Sequence, residues 1–301
     1  MGLETNTRTS SRGVQGRPRS AARRRDEHLL GHFSASAAIA EHPPLTTALP
    51  RSRARSVKLS ILMPAYNEER TITEAVASVL STKYPCDYEL IVVDDGSTDR
   101  TAQILTEFTH PNLVVVTHPH NFGKGAALQS ASAAATGTHL VPFDADLEYD
   151  PNDLRALLEP VLKGQSDVVY GVRLFGVNTR YQSFHHAIGN QALTMAARVL
   201  FDAYLSDMHT CLKLVPVDLF RELEPRELGF GLDTEITAKL LRRGIKPFEV
   251  PVSYNSRSVA NGKKITWRDG VKCLQILARV RSRREIATPR HTDRQLALVQ
   301  G

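Results

Sequence analysis

Three short apolar runs in this 301-residue chain are each followed at once by acids. After Leu59–Met63 comes Pro64-Ala-Tyr66-Asn-Glu68, and after Glu89–Val93 comes Asp94-Asp95-Gly96-Ser97-Thr-Asp99. After His139–Phe143 comes Asp144-Ala145-Asp146-Leu-Glu148. A single acid behind a strand is ordinary helix capping, a role that fits Asp99 or Ser97. Acids behind three parallel strands converge on one edge, where their mutual repulsion calls for a cation or a polar ligand. Asp144, Asp146 and Glu148 alternate, and in an extended segment alternate side chains share a face. Three carboxylates so placed suit a hard cation such as Mg2+ or Mn2+, with diphosphate oxygens completing the shell; the plainer reading is a solvated acidic turn. Asn121-Phe-Gly-Lys124-Gly125 runs into a helix and can bring Lys124 and backbone N–H groups to phosphate. It is neither Gly-X-Gly-X-X-Gly nor the eight-residue P-loop pattern, so dehydrogenases and P-loop NTPases lose ground.

The elements that position these residues follow from periodicity. Strands are expected at Leu59–Met63, Glu89–Val93, Leu113–Thr117, His139–Phe143, Asp167–Tyr170 and Lys246–Val252. Helices are expected at Glu68–Leu80, Thr98–Phe108, Gly123–Ala135, Tyr181–Phe201, Leu232–Arg242 and Trp267–Val280. The alternation implies an α/β fold with a mostly parallel sheet and helices on both faces. In such sheets ligands bind beyond the carboxyl ends of the strands, where the acids lie.

Charge is unevenly placed. The segment through Lys58 carries an excess of +7 and that from Arg279 onward +4, leaving −5 for the body out of a total of +6. The basic character belongs to the tails, which argues against a nucleic-acid partner. Residues 1–56, rich in Arg, Ser, Ala and Pro, read as a disordered basic tail, with a transit peptide as the sharper alternative. Residues 282–301 read as a second basic tail, and 57–281 as the folded domain. No apolar run reaches the ~18–20 residues that span a bilayer. The three cysteines, Cys86, Cys211 and Cys273, show no metal-ligand spacing, and a reduced, cytosolic setting is the simplest account.

In order and spacing, Pro64–Glu68, Val93–Asp99, Gly123–Gly125 and Asp144–Pro151 resemble family 2 glycosyltransferases of the GT-A fold. Within them the chain looks like the dolichol-phosphate mannosyltransferases and bacterial polyprenyl-phosphate glycosyltransferases. Gly229–Glu235, Tyr254–Arg257 and Gly262–Gly270 extend the likeness, which covers roughly Leu59 to Arg281. The resemblance implies a metal-dependent, inverting hexosyltransferase using GDP-mannose or a UDP-hexose and Mg2+ or Mn2+. Pro64, Tyr66, Glu68, Asp95 and Gly96 would line the base and ribose. Lys124 would lie at the donor, and Asp144, Ala145, Asp146 and Glu148 would form the metal-binding stretch, with Asp146 central to catalysis. Arg173, Arg180, Arg257 and Lys263 would handle donor and acceptor phosphates.

For a polyprenyl-phosphate acceptor, already ionised, positioning by Arg257 and Arg180 suffices. For a saccharide hydroxyl a carboxylate base is required, and Asp233 and Glu235 are the candidates. A non-catalytic nucleotide-sugar-binding protein is the third reading. His209 stands where close relatives would have Glu; it is either an acceptor-side departure or an exposed loop residue. A lipid acceptor would place the chain at the inner, cytoplasmic face of a membrane. The basic tails would attach it there, helped by any of Trp267, Val271, Leu274, Ile276 or Leu277 not spent on core packing, the more common use of such a face, or a membrane-embedded partner would anchor it instead.

Overall fold

The computed structural model describes residues 56–173, 179–180, 184–256 and 267–282. Both tails fall almost wholly outside these residues, as do Arg257 and Lys263. Arg180 is placed by its backbone alone.

The strands are β1 (Lys58–Ala65), β2 (Asp87–Asp94), β3 (Leu113–Thr117), β4 (His139–Pro142), β5 (Val169–Val172), β6 (Thr179–Arg180), β7 (Lys213–Pro216), β8 (Phe248–Pro251) and β9 (Tyr254–Asn255). The helices are α1 (Ile72–Ser81), α2 (Thr101–Thr106), α3 (Lys124–Ala134), α4 (Leu154–Leu162), α5 (Phe184–Phe201), α6 (Val217–Glu222), α7 (Leu232–Arg242) and α8 (Trp267–Arg281). Seven strands form one sheet in the order β3-β2-β1-β4-β7-β5-β8. β1 pairs in parallel with β2 and β4, β2 with β3, and β5 with β8, whereas β7 runs antiparallel to both its neighbours. β6 and β9 form a separate parallel pair.

The central strands are apolar on both faces, and the core divides accordingly. Leu59, Ile61 and Met63 of β1 join Leu90 and Val92 of β2 against α1, α2 and α4. Leu62, Ile91 and Val93 face the opposite layer, with α3, α6, α7 and α8. The carboxyl ends of β1, β2 and β4 thus deliver the three acidic loops to one edge.

The first helix begins four residues later than periodicity predicts. Asn67, Glu68 and Glu69 donate their backbone N–H groups to Ser97, Thr101 and Asp99. Asn67 takes a left-handed conformation, with φ 56°, and its side-chain oxygen accepts from the Thr98 N–H at 2.8 Å. These residues knit the first acidic loop to the second instead of continuing α1.

At the other end of the sheet Glu89 accepts five hydrogen bonds, from Ser60 Oγ, both N and Oγ1 of Thr136, Gly137 N and Lys58 Nζ. Burial alone would raise its pKa, but these donors outweigh it and lower the value to about 2. A carboxyl depressed in the folded state stabilises above its unfolded pKa and loses that contribution as pH falls through the folded one. Glu89→Gln is therefore expected to lower stability by about 2–3 kcal/mol at neutral pH. Urea unfolding across pH checks this: the gap between wild type and variant holds above about pH 4.5 and closes toward pH 2.

Candidate functional site

The Gly-Lys-Gly loop is held from two sides. Asp95, buried at the end of β2, accepts the N–H groups of Phe122 at 3.0 Å and Gly123 at 2.8 Å. His118 Nδ1 lies 2.7 Å from the same carboxylate, while Nε2 meets Ser130 Oγ at 2.9 Å. A carboxylate oxygen accepts, so the imidazole donates to it from Nδ1. On the other side Leu228 O accepts from Gly125 N and Ala126 N. A side chain at Gly123 would strike that carbonyl, and one at Gly125 would strike the Glu227 carbonyl. Gly123 also takes φ 101°. Both glycines are needed for this close backbone contact. Glu235 holds the contacting segment in turn, accepting from Arg226 N and Glu227 N and pairing with Lys239.

The clamp aims Lys124 at Asp144, whose two oxygens lie 2.7 and 2.8 Å from Nζ. Burial alone would lower the Lys124 pKa, but Asp144, with Cys211 and Asp233 farther off, lifts it well above the ordinary value. A second pair lies beside the first: the buried Lys213 ammonium is 2.8 Å from Asp233 Oδ1, also bonds the Thr210 carbonyl, and sits over the Tyr170 ring. Burial would raise the Asp233 pKa, yet Lys213 and Lys124 bring it below the usual value.

Residues 144–148 are a turn, not the extended stretch that alternation assumed. Leu147 has φ 61°, which breaks the strand geometry on which a shared face for the three carboxylates depends. Asp146 accepts the Glu148 N–H at 3.1 Å, and Glu148 receives the Tyr254 hydroxyl at 2.6 Å. Among the described residues no group of three His, Cys, Asp or Glu side chains is gathered to hold a metal. Ala145 is buried under this turn, while Pro64, Tyr66 and Glu68 are half-exposed along the first loop. Gly96, with φ 68°, passes so close to His120 that a side chain would collide with its backbone.

Arg173 forks onto Asp207 through Nε at 2.7 Å and Nη2 at 2.9 Å, and its guanidinium lies 4.9 Å from the centre of the Tyr254 ring. Asp207 also accepts from Asn190, whose amide oxygen meets His209 Nδ1 at 2.8 Å. His209 is therefore not an exposed loop residue. It links α5 to Thr234 of α7 and to Cys273 of α8. Burial first, with Lys213 adding and Asp233 opposing, pushes its pKa down to about 4, so the ring is neutral at physiological pH. The buried Lys213 and the His118 relay carry no sequence signal, since each is defined only by what the fold places opposite it.

The sheet order is that of an α/β fold with an acidic edge, and comparison with known proteins gives the class. The chain belongs to glycosyl transferase family 2, whose model matches residues 60–223. It is 30% identical over 202 residues to the low-salt glycan biosynthesis hexosyltransferase Agl6 of Haloferax volcanii, covering 66% of this chain and 48% of that one. It is 33% identical over 124 residues to the dodecaprenyl-phosphate galacturonate synthase of Rhizobium johnstonii, covering 40% and 37%. The chain thus spans less than half the length of these two relatives. Among solved structures it resembles glucosyl-3-phosphoglycerate synthase of Mycobacterium tuberculosis bound to Mn2+, UDP-glucose and phosphoglyceric acid. That likeness has a TM-score of 0.56 at 21% identity and covers 75% of this chain and 80% of that one. The fold is the GT-A fold.

Asp95→Asn should release the loop, because an amide NH2 group would face the Phe122 or Gly123 N–H. We expect a stability loss of about 1–3 kcal/mol, with faster hydrogen exchange at residues 122–126 and loss of donor binding. Unchanged exchange at those amides would show that the clamp is not what holds the loop.

Proposed function

We propose that the protein is an inverting hexosyltransferase that moves a sugar from a nucleotide-sugar donor to a polyprenyl phosphate. The observation that carries the acceptor assignment is the state of the two carboxylates available as bases. Asp233 is held ionised by the buried Lys213, and a carboxylate so stabilised takes up a proton poorly. Glu235 is buried, bound to two backbone N–H groups and to Lys239. A hydroxyl acceptor needs a base, whereas a phosphate monoester, with a second pKa near ~6, arrives ionised. The name of the Rhizobium relative supports the same acceptor class.

In the proposed reaction an acceptor phosphate oxygen attacks the anomeric carbon and forms the new C–O bond. The bond to the nucleoside diphosphate breaks on the opposite side, and its electron pair leaves with the diphosphate. Pro64, Tyr66 and Glu68 line the donor side, and Lys124 meets the diphosphate by exchanging its contact with Asp144. The oxygen-only acids of the 144–148 turn suit Mg2+ or Mn2+. Asp144, Asp146 and Glu148 are the residues that would hold the ion. When bound, the metal stabilises charge on the leaving diphosphate. Arg173, with Arg180, Arg257 and Lys263, is assigned to the phosphates. Among the described residues no helix is long and apolar enough to cross a membrane. We place the protein at the inner face of a membrane as a peripheral protein.

The test pairs GDP-mannose, UDP-glucose or UDP-GlcNAc carrying radiolabelled sugar with a polyprenyl phosphate, Mg2+ and Mn2+. Label is expected in the lipid with one donor, removed by chelator and abolished by Asp146→Asn, whose melting temperature stays near wild type. Label transferred to saccharide but not to lipid phosphate would overturn the acceptor assignment. Near-normal activity of Asp146→Asn would overturn the metal site.

A further inference from the structure

Helices α5 and α8 pack side by side, and at the far end of α8 Arg281 Nε donates to the Leu200 carbonyl of α5. Their inward faces are ordinary core: Cys273, Ile276, Leu277 and Val280 of α8 are buried, as are Thr194 and Ala197 of α5. Their outward faces are not polar. On α5, Ile188, Met195 and Val199 are 51%, 52% and 75% exposed, with the exposed Ala192 between them. The spacing of four, three and four residues sets them in one row along the helix. On α8, Val271 and Leu274 are 44% and 46% exposed, and Ala278 continues that row one turn on. Two exposed apolar rows on neighbouring helices form a patch of the kind that marks an interaction surface. Of the α8 side chains considered for lipid contact, Ile276 and Leu277 serve the core, and Val271 and Leu274 are the ones left outward. The side chain of Trp267 lies outside the described residues.

The border of the patch identifies its partner. On α8, Arg268, Lys272, Arg279 and Arg281 stand against Asp269, although the body as a whole is acidic. Glu227, buried beneath, pairs with both Lys272 and Arg279 and offsets one of those charges. In the last turn of α5, Arg198 lies over the ring of the exposed Tyr204 just beyond the helix, at 4.9 Å. An apolar stripe bordered by cations and an outward tyrosine is the pattern of a helix lying in a lipid interface. A second copy docked by a two-fold axis would set the cationic border against itself. Anionic headgroups complement it.

We infer that the outward face of α5 and α8 docks on an anionic lipid surface. The inference deepens the lipid-acceptor reading: both helices also reach the site from within, through Asn190 and Cys273 around His209. Docking by this face would put the site at the bilayer boundary, where a polyprenyl phosphate presents its headgroup.

The experiment is vesicle flotation of the full-length chain, free of polyprenyl phosphate, on phosphatidylcholine vesicles with and without phosphatidylglycerol. The variants are Val199→Asp, Leu274→Asp and their combination, none of which touches the catalytic edge. The wild type should float with the anionic vesicles. It should keep part of that binding at about 0.5 M salt, where attraction by charged tails alone is screened. The double variant should bind roughly tenfold less while keeping its melting temperature and its transfer to a detergent-dispersed acceptor. Equal flotation of wild type and double variant, or no flotation by the wild type, overturns the inference. So does a lipid-free dimer that the double variant dissociates, because a second copy would then own the face. If flotation behaves as expected but no sugar reaches polyprenyl phosphate, the docking face stands and the acceptor assignment falls.

Discussion

Everything at the acidic edge of the sheet depends on one buried carboxylate bound to backbone amides. Asp95 ends β2 and holds Phe122 N and Gly123 N, at the entry to α3. A carboxyl group buried this deeply needs its donors in place, and charge-assisted hydrogen bonds to N–H groups are about twice as strong as neutral ones. His118 supplies a third donor and is itself set by Ser130. The loop cannot shift without uncovering the Asp95 carboxylate, and it cannot lift without losing the Leu228 carbonyl that Gly125 and Ala126 share. Lys124 is consequently delivered to Asp144 by the fold, not by the ion pair.

The same edge is organised as alternating charges. Lys124 with Asp144 and Lys213 with Asp233 lie around the buried Cys211, and Lys124 joins Lys213 in holding the Asp233 carboxyl below its usual value. The two ammonium groups and two carboxylates balance in charge, so under the proposed reading a diphosphate would enter by exchanging partners instead of meeting naked charge. In the proposed reaction Asp144 would release Lys124 to a phosphate and would help to hold the cation. Asp233 has no comparable exchange partner, because Lys213 is wholly buried behind it. That difference separates the acid assigned to the metal from the acid that a hydroxyl acceptor would have required.

Much of this was legible in the sequence because it rests on local pattern. β1, β2 and β4 are continuous apolar runs, and the acids and glycines that follow them announce the ligand edge. Other features depend on partners far along the chain. Glu68 to Thr71 carries helical residues, yet the N–H groups of Asn67, Glu68 and Glu69 are claimed by Ser97, Thr101 and Asp99, some thirty residues on. The alternation of Asp144, Asp146 and Glu148 fits a strand, but the left-handed Leu147 turns the chain, and no pattern of side chains reveals that φ angle. β7 is four residues long and antiparallel, too short for periodicity to show, and it brings in Lys213. Asp95 and Glu235 read as candidate ligand or base residues, whereas the structure shows both accepting backbone hydrogen bonds. Sequence gives the type of a side chain, and burial decides what it is used for.

The central claim is that the acceptor brings its own negative charge and the protein supplies no base. The most direct measurement is the pH dependence of kcat/KM for transfer, compared between a polyprenyl phosphate and an analogue whose phosphorus acid has a different second pKa. The account predicts a rise that follows the acceptor's own ionisation, near ~6 for the phosphate, and that shifts with the analogue. A profile that ignores the acceptor's pKa, and that Asp233→Asn abolishes at every pH, would contradict it.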